Sequence, residues 1–358
     1  MLYVLCFAAV TLTSAGNSKQ SSPASNSNRI AAQKLNDLLE YDDYYEAEKL
    51  SHICQFAGDS STTTATFLTL VRTQCRKQQT KTNYFSCVKT EKRKYLHCAL
   101  IERSTKQGAS QPLGYICERG LRHQQSPFFD LNRNCSSLLY DSSKDAVQVK
   151  LPHEDQPWKE NLPLYMPVDC KWNSSAKRII SRGAKEPSED KRPKNPLGRQ
   201  GVSGRGKFQH LGENAFVLPV IVRRVGDQLQ VVVQENSQAP FSIPLPWIPY
   251  PSYFYEDPVG RNLTRYLHKM WLDAYEDSGH FEYFMSVEQE IIYAGPIRHK
   301  HNTDNAWLSI RFSVIDDSKY EFMSEFPSFS EFYWRNITEQ ELTHIKQHYV
   351  DVKEQTLL

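Results

Sequence analysis

The sequence is short of net charge: 43 basic residues stand against 41 acidic ones, a formal balance of +2 over 358 positions. No global field therefore draws the chain to nucleic acid or to a membrane surface, and partners must be argued from local features. Long apolar runs are also missing, and no stretch approaches the roughly 20 residues that span a bilayer. There is no Cys-x-x-Cys pair and no nearby Cys/His set, so nothing in the cysteine spacing favours zinc. What is present is core material. Hydrophobic residues make up 39% of the chain and aromatic ones 12% of it, enough to support packed interiors, and the length suffices for two ordinary domains.

The first residues read MLYVLCFAAVTLTSAG, apolar from Leu2 to Leu12 and then small around Ala15. This is the shape of a secretory signal peptide over residues 1–16, although the basic residue that usually precedes the apolar stretch is absent. Residues 17–28, rich in Ser and Asn, read as a flexible linker. Cysteine usage agrees with export: Cys54, Cys75, Cys87, Cys98, Cys117 and Cys135 crowd one segment, which suggests disulfide pairing among them, and Cys170 is left over. Sequence does not choose among the possible pairings. Asn134, Asn173, Asn262 and Asn336 each head an Asn-x-Ser/Thr acceptor for N-glycosylation.

From Arg29 to about Cys54 the apolar residues Ile30, Leu35, Leu38, Leu39, Tyr45 and Leu50 fall mainly at three- and four-residue steps, and Thr66–Cys75 and Tyr84–Leu100 read the same way. The expectation is a small, disulfide-rich, mainly helical module over residues 29–140, followed by a connector over 141–156. Beyond it the texture changes. Val217–Arg223 and Gln228–Gln234 are β-branched segments separated by Arg224-Val225-Gly226-Asp227, a hairpin signal. Asn262–Tyr275 carries Leu263, Tyr266, Leu267, Met270, Trp271 and Ala274 on one stripe and predicts a helix. Val287–Tyr293, Ala306–Val314 and Ser330–Trp334 are candidate strands, and Glu339–Gln347 a closing helix.

Two words carry chemistry. In RPKNPLGRQGVSGRGKFQHLGENAFVLPVIVRR (Arg192–Arg224), Gly198, Gly201, Gly204 and Gly206 permit left-handed or closely approaching backbone. Arg199 and Arg205 bring planar donors suited to diphosphate oxygens. The same features also suit a structural turn whose arginines pair with acidic neighbours. In NTDNAWLSIRFSV (Asn302–Val314), Asp304 could accept from ribose hydroxyls and Asn305 could donate or accept, while Trp307 reads as core.

These words, with PWKENLPLYMPVDC (Pro157–Cys170) ahead of them, resemble the mitochondrial-type ADP-ribose pyrophosphatases of the Nudix superfamily. The resemblance also extends to the Nudix-like domain of melastatin-related cation channels, which uses the fold as an ADP-ribose sensor. It covers roughly Pro157 to Tyr349 and implies a domain over 157–350: an α/β/α sandwich around a mixed sheet, with Arg199, Arg205, Asp304 and Asn305 as ligand-binding residues.

Such hydrolases hold Mg²⁺ through a Glu-rich box on a helix, because this hard ion demands oxygen ligands. Anchored on the flanking words, SIPLPW (Ser242–Trp247) falls where the family has its Gly-Gly turn, with Leu245 and Pro246 in place of the glycines. LTRYLHKMWLDA (Leu263–Ala274) falls on the box helix. Only Arg265 matches, while Tyr266, Lys269 and Met270 occupy carboxylate positions, and Arg298, His299, Lys300 and His301 replace an acidic pair. A lysine, a thioether and a phenol are poor partners for a hard dication.

The resemblance thus implies a secreted pseudoenzyme that binds ADP-ribose or a related nucleotide without cleaving it. No catalytic residue, metal ligand or cofactor is expected. The alternative is a divergent ADP-ribose diphosphatase yielding AMP and ribose 5-phosphate, with Mg²⁺ as cofactor and Glu256 and Asp257 as rescue ligands. A second alternative is an extracellular scaffold for a protein partner. Neither nucleic acid nor a membrane span enters any of these readings.

Overall fold

The computed structural model describes residues 23–39, 43–58, 61–76, 94–105, 110–120, 126–140, 146–170, 191–237, 243–250, 259–276, 278–287, 289–328 and 331–347. The expected signal peptide, Cys87, Asn173, Glu256 and Asp257 lie outside them. The described residues form two compact units. The first takes the chain up to 170 together with 198–207 and 303–305, and the second takes 191–197, 208–302 and 306 onward.

The first unit opens with helix α1 (Pro23–Leu38) and continues with strands β1 (Asp43–Ala57), β2 (Ser61–Arg76), β3 (Tyr95–Thr105) and β4 (Ser110–Gly120). With the short β5 (Leu164–Met166) these make one antiparallel sheet in the order β1-β2-β3-β4-β5. The helical module expected over 29–140 is therefore corrected to a helix packed on a sheet. The three- and four-residue spacing is real only in α1, where Ala31, Ala32, Leu35 and the following Leu39 are buried. Past Leu39 the period becomes two. In β2, STTTATFLTLVRTQCR, β-branched residues stiff at χ1 favour the pleat over the helix.

Both faces of this sheet are covered. Leu68, Leu70, Leu96 and Leu100 pack against α1, while Phe67, Ile101 and Ile116 pack against Phe128 of α2 (Pro127–Leu131), Leu138, Val149 and Val168. Each such side chain fully removed from water contributes about 1.5–3 kcal/mol. Cys98 and Cys117 face each other across β3 and β4, Cα atoms 4.2 Å apart, and form a disulfide. A second links Cys54 on β1 to Cys135, 81 residues away. Cys75 is also disulfide-bonded. Cys170 is a free thiol, on β6 (Asp169–Cys170), which pairs in parallel with β7 (Ser203–Gly204).

The second unit is a mixed sheet. It contains β8 (Gly212–Val225), β9 (Gln228–Gln234), β10 (Ile248–Tyr250), β11 (Gln289–Pro296), β12 (Ala306–Asp316) and β13 (Phe332–Ile337). The order is β11-β12-β8-β9-β13, with β10 added on β8; β8 and β12 run parallel and the other pairs antiparallel. The hairpin joining β8 to β9 turns at the expected Arg224–Asp227 segment.

Alternation along the strands sends side chains to two faces. Ile221, Val232, Ile315 and Phe332 meet Leu263, Leu267 and Trp271 of α3 (Arg261–Tyr275) and Phe281 and Phe284 of α4 (Ser278–Val287). Val220, Val222, Val231, Val233 and Phe312 meet Leu342 and Ile345 of the helix over 339–347. Helix α4 occupies the start of the strand expected over Val287–Tyr293, so β11 begins two residues later than that reading, at Gln289. Among the described residues no helix is long and apolar enough to cross a membrane.

Candidate functional site

The Gly/Arg loop and the Thr-Asp-Asn segment, about a hundred positions apart in the chain, meet within the first unit. Their contacts are a ladder. Asp304 Oδ1 accepts from the Gln200 backbone N–H at 2.6 Å, Asp304 N donates to Val202 O at 2.8 Å, and Asn305 Oδ1 accepts from Gly204 N at 2.9 Å. The Thr303 hydroxyl donates to Gly204 O at 2.6 Å. The glycines make this approach possible. Gly201 has φ +72°, and a Cβ there would collide with the carbonyl oxygen of Val149.

Arg199 lies inside the same arrangement. Its Nη1 donates to the carbonyls of Asp155 (3.1 Å) and Pro157 (2.7 Å), its Nη2 donates to Glu160 O (2.8 Å), and its guanidinium lies 5.2 Å from the Trp158 ring and 5.1 Å from the Tyr165 ring. Only 9% of the residue is exposed. Tyr165 completes the tie: its hydroxyl donates to Asp304 Oδ2 at 2.7 Å and accepts from Gly201 N at 3.2 Å. Burial pushes the Asp304 carboxyl up to about 7, against the pull of the Gln200 and Tyr165 hydrogen bonds. Burial and the adjacent carboxyl hold the Tyr165 phenol well above its usual value. Arg205 is half-buried on the same loop.

A second buried acid sits nearby in the sheet. Glu118 accepts from the Ser126 hydroxyl at 2.8 Å, and burial, with a hydrogen bond to Asp155, pushes its carboxyl up to about 8. An open cavity of about 490 Å³ in this unit is lined by Pro127, Asp130, Leu131, Pro152, His153 and Glu154.

In the second unit, α3 starts from Gly260 at φ +90° and buries Leu263, Leu267 and Trp271. Tyr266 is 40% exposed, Lys269 is exposed, and Met270 packs partly into the core. Asp273 is the sole acid of α3, near its C-terminal end. Among the described residues no group of three or more His, Cys, Asp or Glu is gathered as a metal ion would require. His301 N donates to His299 Nδ1 at 3.3 Å, and burial together with the charges of His301 and Lys300 pushes His299 down to about 4.

Comparison with known proteins gives a partial relationship. No family model matches the chain. Over 130 residues it is 30% identical to the Caenorhabditis elegans protein named "Putative nudix hydrolase 6", a match covering 36% of this chain and 48% of that protein. Over 225 residues it is 25% identical to the transient receptor potential cation channel subfamily M member 2 of Mus musculus, covering 52% of this chain and 14% of the channel. This weak homology supports the Nudix superfamily. The chain spans less than half the length of either relative.

The placement of the expected residues is informative. Arg199, Asp304 and Asn305 do come together, yet both terminal guanidinium nitrogens of Arg199, both carboxylate oxygens of Asp304 and Oδ1 of Asn305 are engaged by the chain itself. In this geometry they tie segments 155–165, 198–204 and 303–305 to one another. The hydrogen-bond partners of Arg199 are backbone carbonyls, where the structural-turn reading expected acidic side chains. Leu245 is fully buried, and Trp247 stacks on Phe216 with centroids 4.8 Å apart. Among the glycosylation acceptors, Asn134, Asn262 and Asn336 are exposed. Asn134 Oδ1 accepts from Ser136, and Asn336 Nδ2 donates to Gln228 Oε1 at 3.1 Å.

Sequence reasoning missed Trp158, Tyr165 and Glu118. The first two lie inside PWKENLPLYMPVDC, and an aromatic pair close to a Gly/Arg loop is a signal for a guanidinium stacking site. Glu118 left no comparable trace, since only its burial distinguishes it.

Proposed function

We propose that the chain is a secreted Nudix-fold pseudoenzyme that binds ADP-ribose or a related nucleotide diphosphate without hydrolysing it. Helix α3 carries the reading. On the surface that the family resemblance assigns to the metal-binding box, it presents Tyr266 and Lys269 to solvent with Met270 beside them, and its one acid is Asp273. These side chains do not fit Mg²⁺, which takes hard oxygen donors and is repelled by an ammonium group. The homology to a nudix hydrolase supports a ligand of the nucleotide-diphosphate class. The disulfides support an oxidising compartment.

Calorimetric titration of the full chain with ADP-ribose, without and with Mg²⁺, tests this when paired with an assay for AMP. Binding heat without AMP is the expected result. AMP formation abolished by EDTA and by Glu256→Gln would establish the active diphosphatase instead. The absence of heat in both titrations would leave the extracellular scaffold, a reading favoured by the internal engagement of Arg199, Asp304 and Asn305.

A further inference from the structure

The second unit carries an exposed aromatic patch built at some cost. Trp271 and Phe284 are buried, but the rings they support are not: Tyr275 is 45% exposed, Tyr320 51%, Phe322 36%, and Leu272 beside them 37%. The rings form one connected set. Phe322 lies 5.3 Å from Trp271 and 5.6 Å from Phe284, Tyr320 stacks on Phe322 at 5.8 Å, and the Tyr275 hydroxyl donates to Phe322 O at 2.8 Å.

The segment presenting Tyr320 and Phe322 is fixed from beneath. Asp317 accepts from the backbone N–H groups of Phe322 (3.1 Å) and Met323 (2.6 Å). Arg223 Nη1 donates to Met323 O (2.7 Å) and Phe326 O (2.6 Å). Glu321 is held at φ +56°. A segment bound this firmly keeps its aromatic rings in water without the option of folding them away, which is the arrangement expected of a preorganised contact surface.

Charge around the patch has one dominant sign. Glu276 follows Tyr275 at the end of α3, and Glu321 and Glu325 flank Phe322; all three are exposed, with Lys319 the basic residue of the segment. Glu325 and Asp317 are close enough to hold the Tyr275 phenol above its usual value, after burial. The C-terminal end of α3, where backbone carbonyl dipoles add negative potential, also falls here.

We propose that this patch is a docking surface for a cationic segment of a partner protein, one that places arginine or lysine over Tyr275 and Tyr320 and against the acidic rim. Aromatic faces attract such cations, and arginine most readily because its planar group also stacks. The surface is separate from the one bearing Tyr266. Tyr275 lies nine residues further along a helix that turns about 100° per residue, hence on the opposite side. The inference stands independently of nucleotide binding.

The test uses the full chain and two fluorescein-labelled peptides of equal length, one repeating Gly-Arg-Leu-Arg and the other Gly-Glu-Leu-Glu, followed by fluorescence anisotropy. Saturable, salt-sensitive binding of the arginine peptide alone is expected. Tyr320→Ser, or Glu321→Lys combined with Glu325→Lys, should weaken it by about tenfold, while Tyr320→Phe retains it. Circular dichroism confirms that each variant is folded. Failure of the arginine peptide to bind, equal binding by every variant, or sedimentation showing that a second copy of the chain covers the patch would each overturn the proposal.

Discussion

Arg199 in the first unit and Arg223 in the second are buried alike, 9% and 8% exposed. Each donates to backbone carbonyls of a distant loop, and each lies against aromatic rings, Arg223 at 3.9 Å from the Trp334 centroid. Each works beside an aspartate that accepts backbone N–H groups, Asp304 in one case and Asp317 in the other. Only their sequence settings differ: Arg199 stands in a Gly/Arg word that invites a phosphate, Arg223 at the end of an ordinary strand. A guanidinium's fork serves a carbonyl pair as readily as a diphosphate, so local composition does not reveal which one it meets.

Severing the longer of the two described disulfide loops is the largest way to set the units apart. Cys54→Ser with Cys135→Ser removes the disulfide closing the long loop and should cost about 4.5 kcal/mol, with about 3 kcal/mol for Cys98→Ser with Cys117→Ser. Denaturant unfolding should show the loss in the first unit's transition and leave the second unit's midpoint in place. A common shift of both transitions would show that the units do not unfold independently.

The next test breaks the likeness of the two arginines directly. Arg199→Ala orphans carbonyls of Asp155, Pro157 and Glu160 and should destabilise the first unit by about 3–4 kcal/mol, with Arg223→Ala acting similarly on the second. Arg199→Lys should recover little of this, since one ammonium group does not reproduce the fork. If Arg199→Ala leaves the unfolding midpoint unchanged and abolishes ADP-ribose binding, Arg199 is a ligand residue and the likeness fails.

Proton linkage separates the units more gently. Burial raises Glu118 to about 8 and Asp304 to about 7 in the first unit, and Asp317 to about 6 in the second. A carboxyl with a raised folded value binds more protons folded than unfolded, so stability falls as pH rises from its unfolded value through its folded one. His97 and His299, both lowered to about 4, act oppositely below 6.5, their ordinary value. Between pH 6.5 and 8 the first unit should therefore lose about 1 kcal/mol per pH unit while the second stays flat. Unfolding curves across that range should show it, and Glu118→Gln should remove most of the slope.

The smallest structural effect concerns α3. Tyr266→Glu with Lys269→Glu alters exposed positions and should move stability by less than about 0.5 kcal/mol, yet it supplies hard oxygen donors. Calorimetry should then register Mg²⁺ binding that the parent chain lacks. Binding of equal strength in the parent would sink the electrostatic account of this face.

Legibility differed between the units for physical reasons. In the second, β8 and β9 are β-branched and buried on both faces, and α3 keeps Leu263, Leu267 and Trp271 at helical spacing, so local pattern and final environment agree. Tyr266 and Ala274 share the apolar stripe of the sequence yet are exposed in the fold, because a helix of this length buries a narrower arc than its apolar residues occupy. In the first unit, Tyr45 and Leu50 continued the spacing of α1 by coincidence. What overrode it was pairing between β1 and β2, a long-range effect that no window of neighbouring residues contains. The resemblance groups Arg199 and Arg205 with Asp304 and Asn305 as ligand-binding residues, but it names neither the Gln200 backbone N–H nor Tyr165 as a partner of Asp304.

The sequence by itself determined the chemistry on offer: which residues carry charge, rings or thiols, where glycine permits close approach, and that Asp273 is the one acid within α3. Tertiary structure decided where those groups point. Cysteine pairing, the inward turn of Arg199 and Asp304, the raised proton affinity of Glu118, and the exposure of Tyr275, Tyr320 and Phe322 all depend on which distant segments exclude water from a given atom. Desolvation is a property of the surroundings, and those surroundings are assembled from residues up to 139 positions away, the separation between Tyr165 and Asp304.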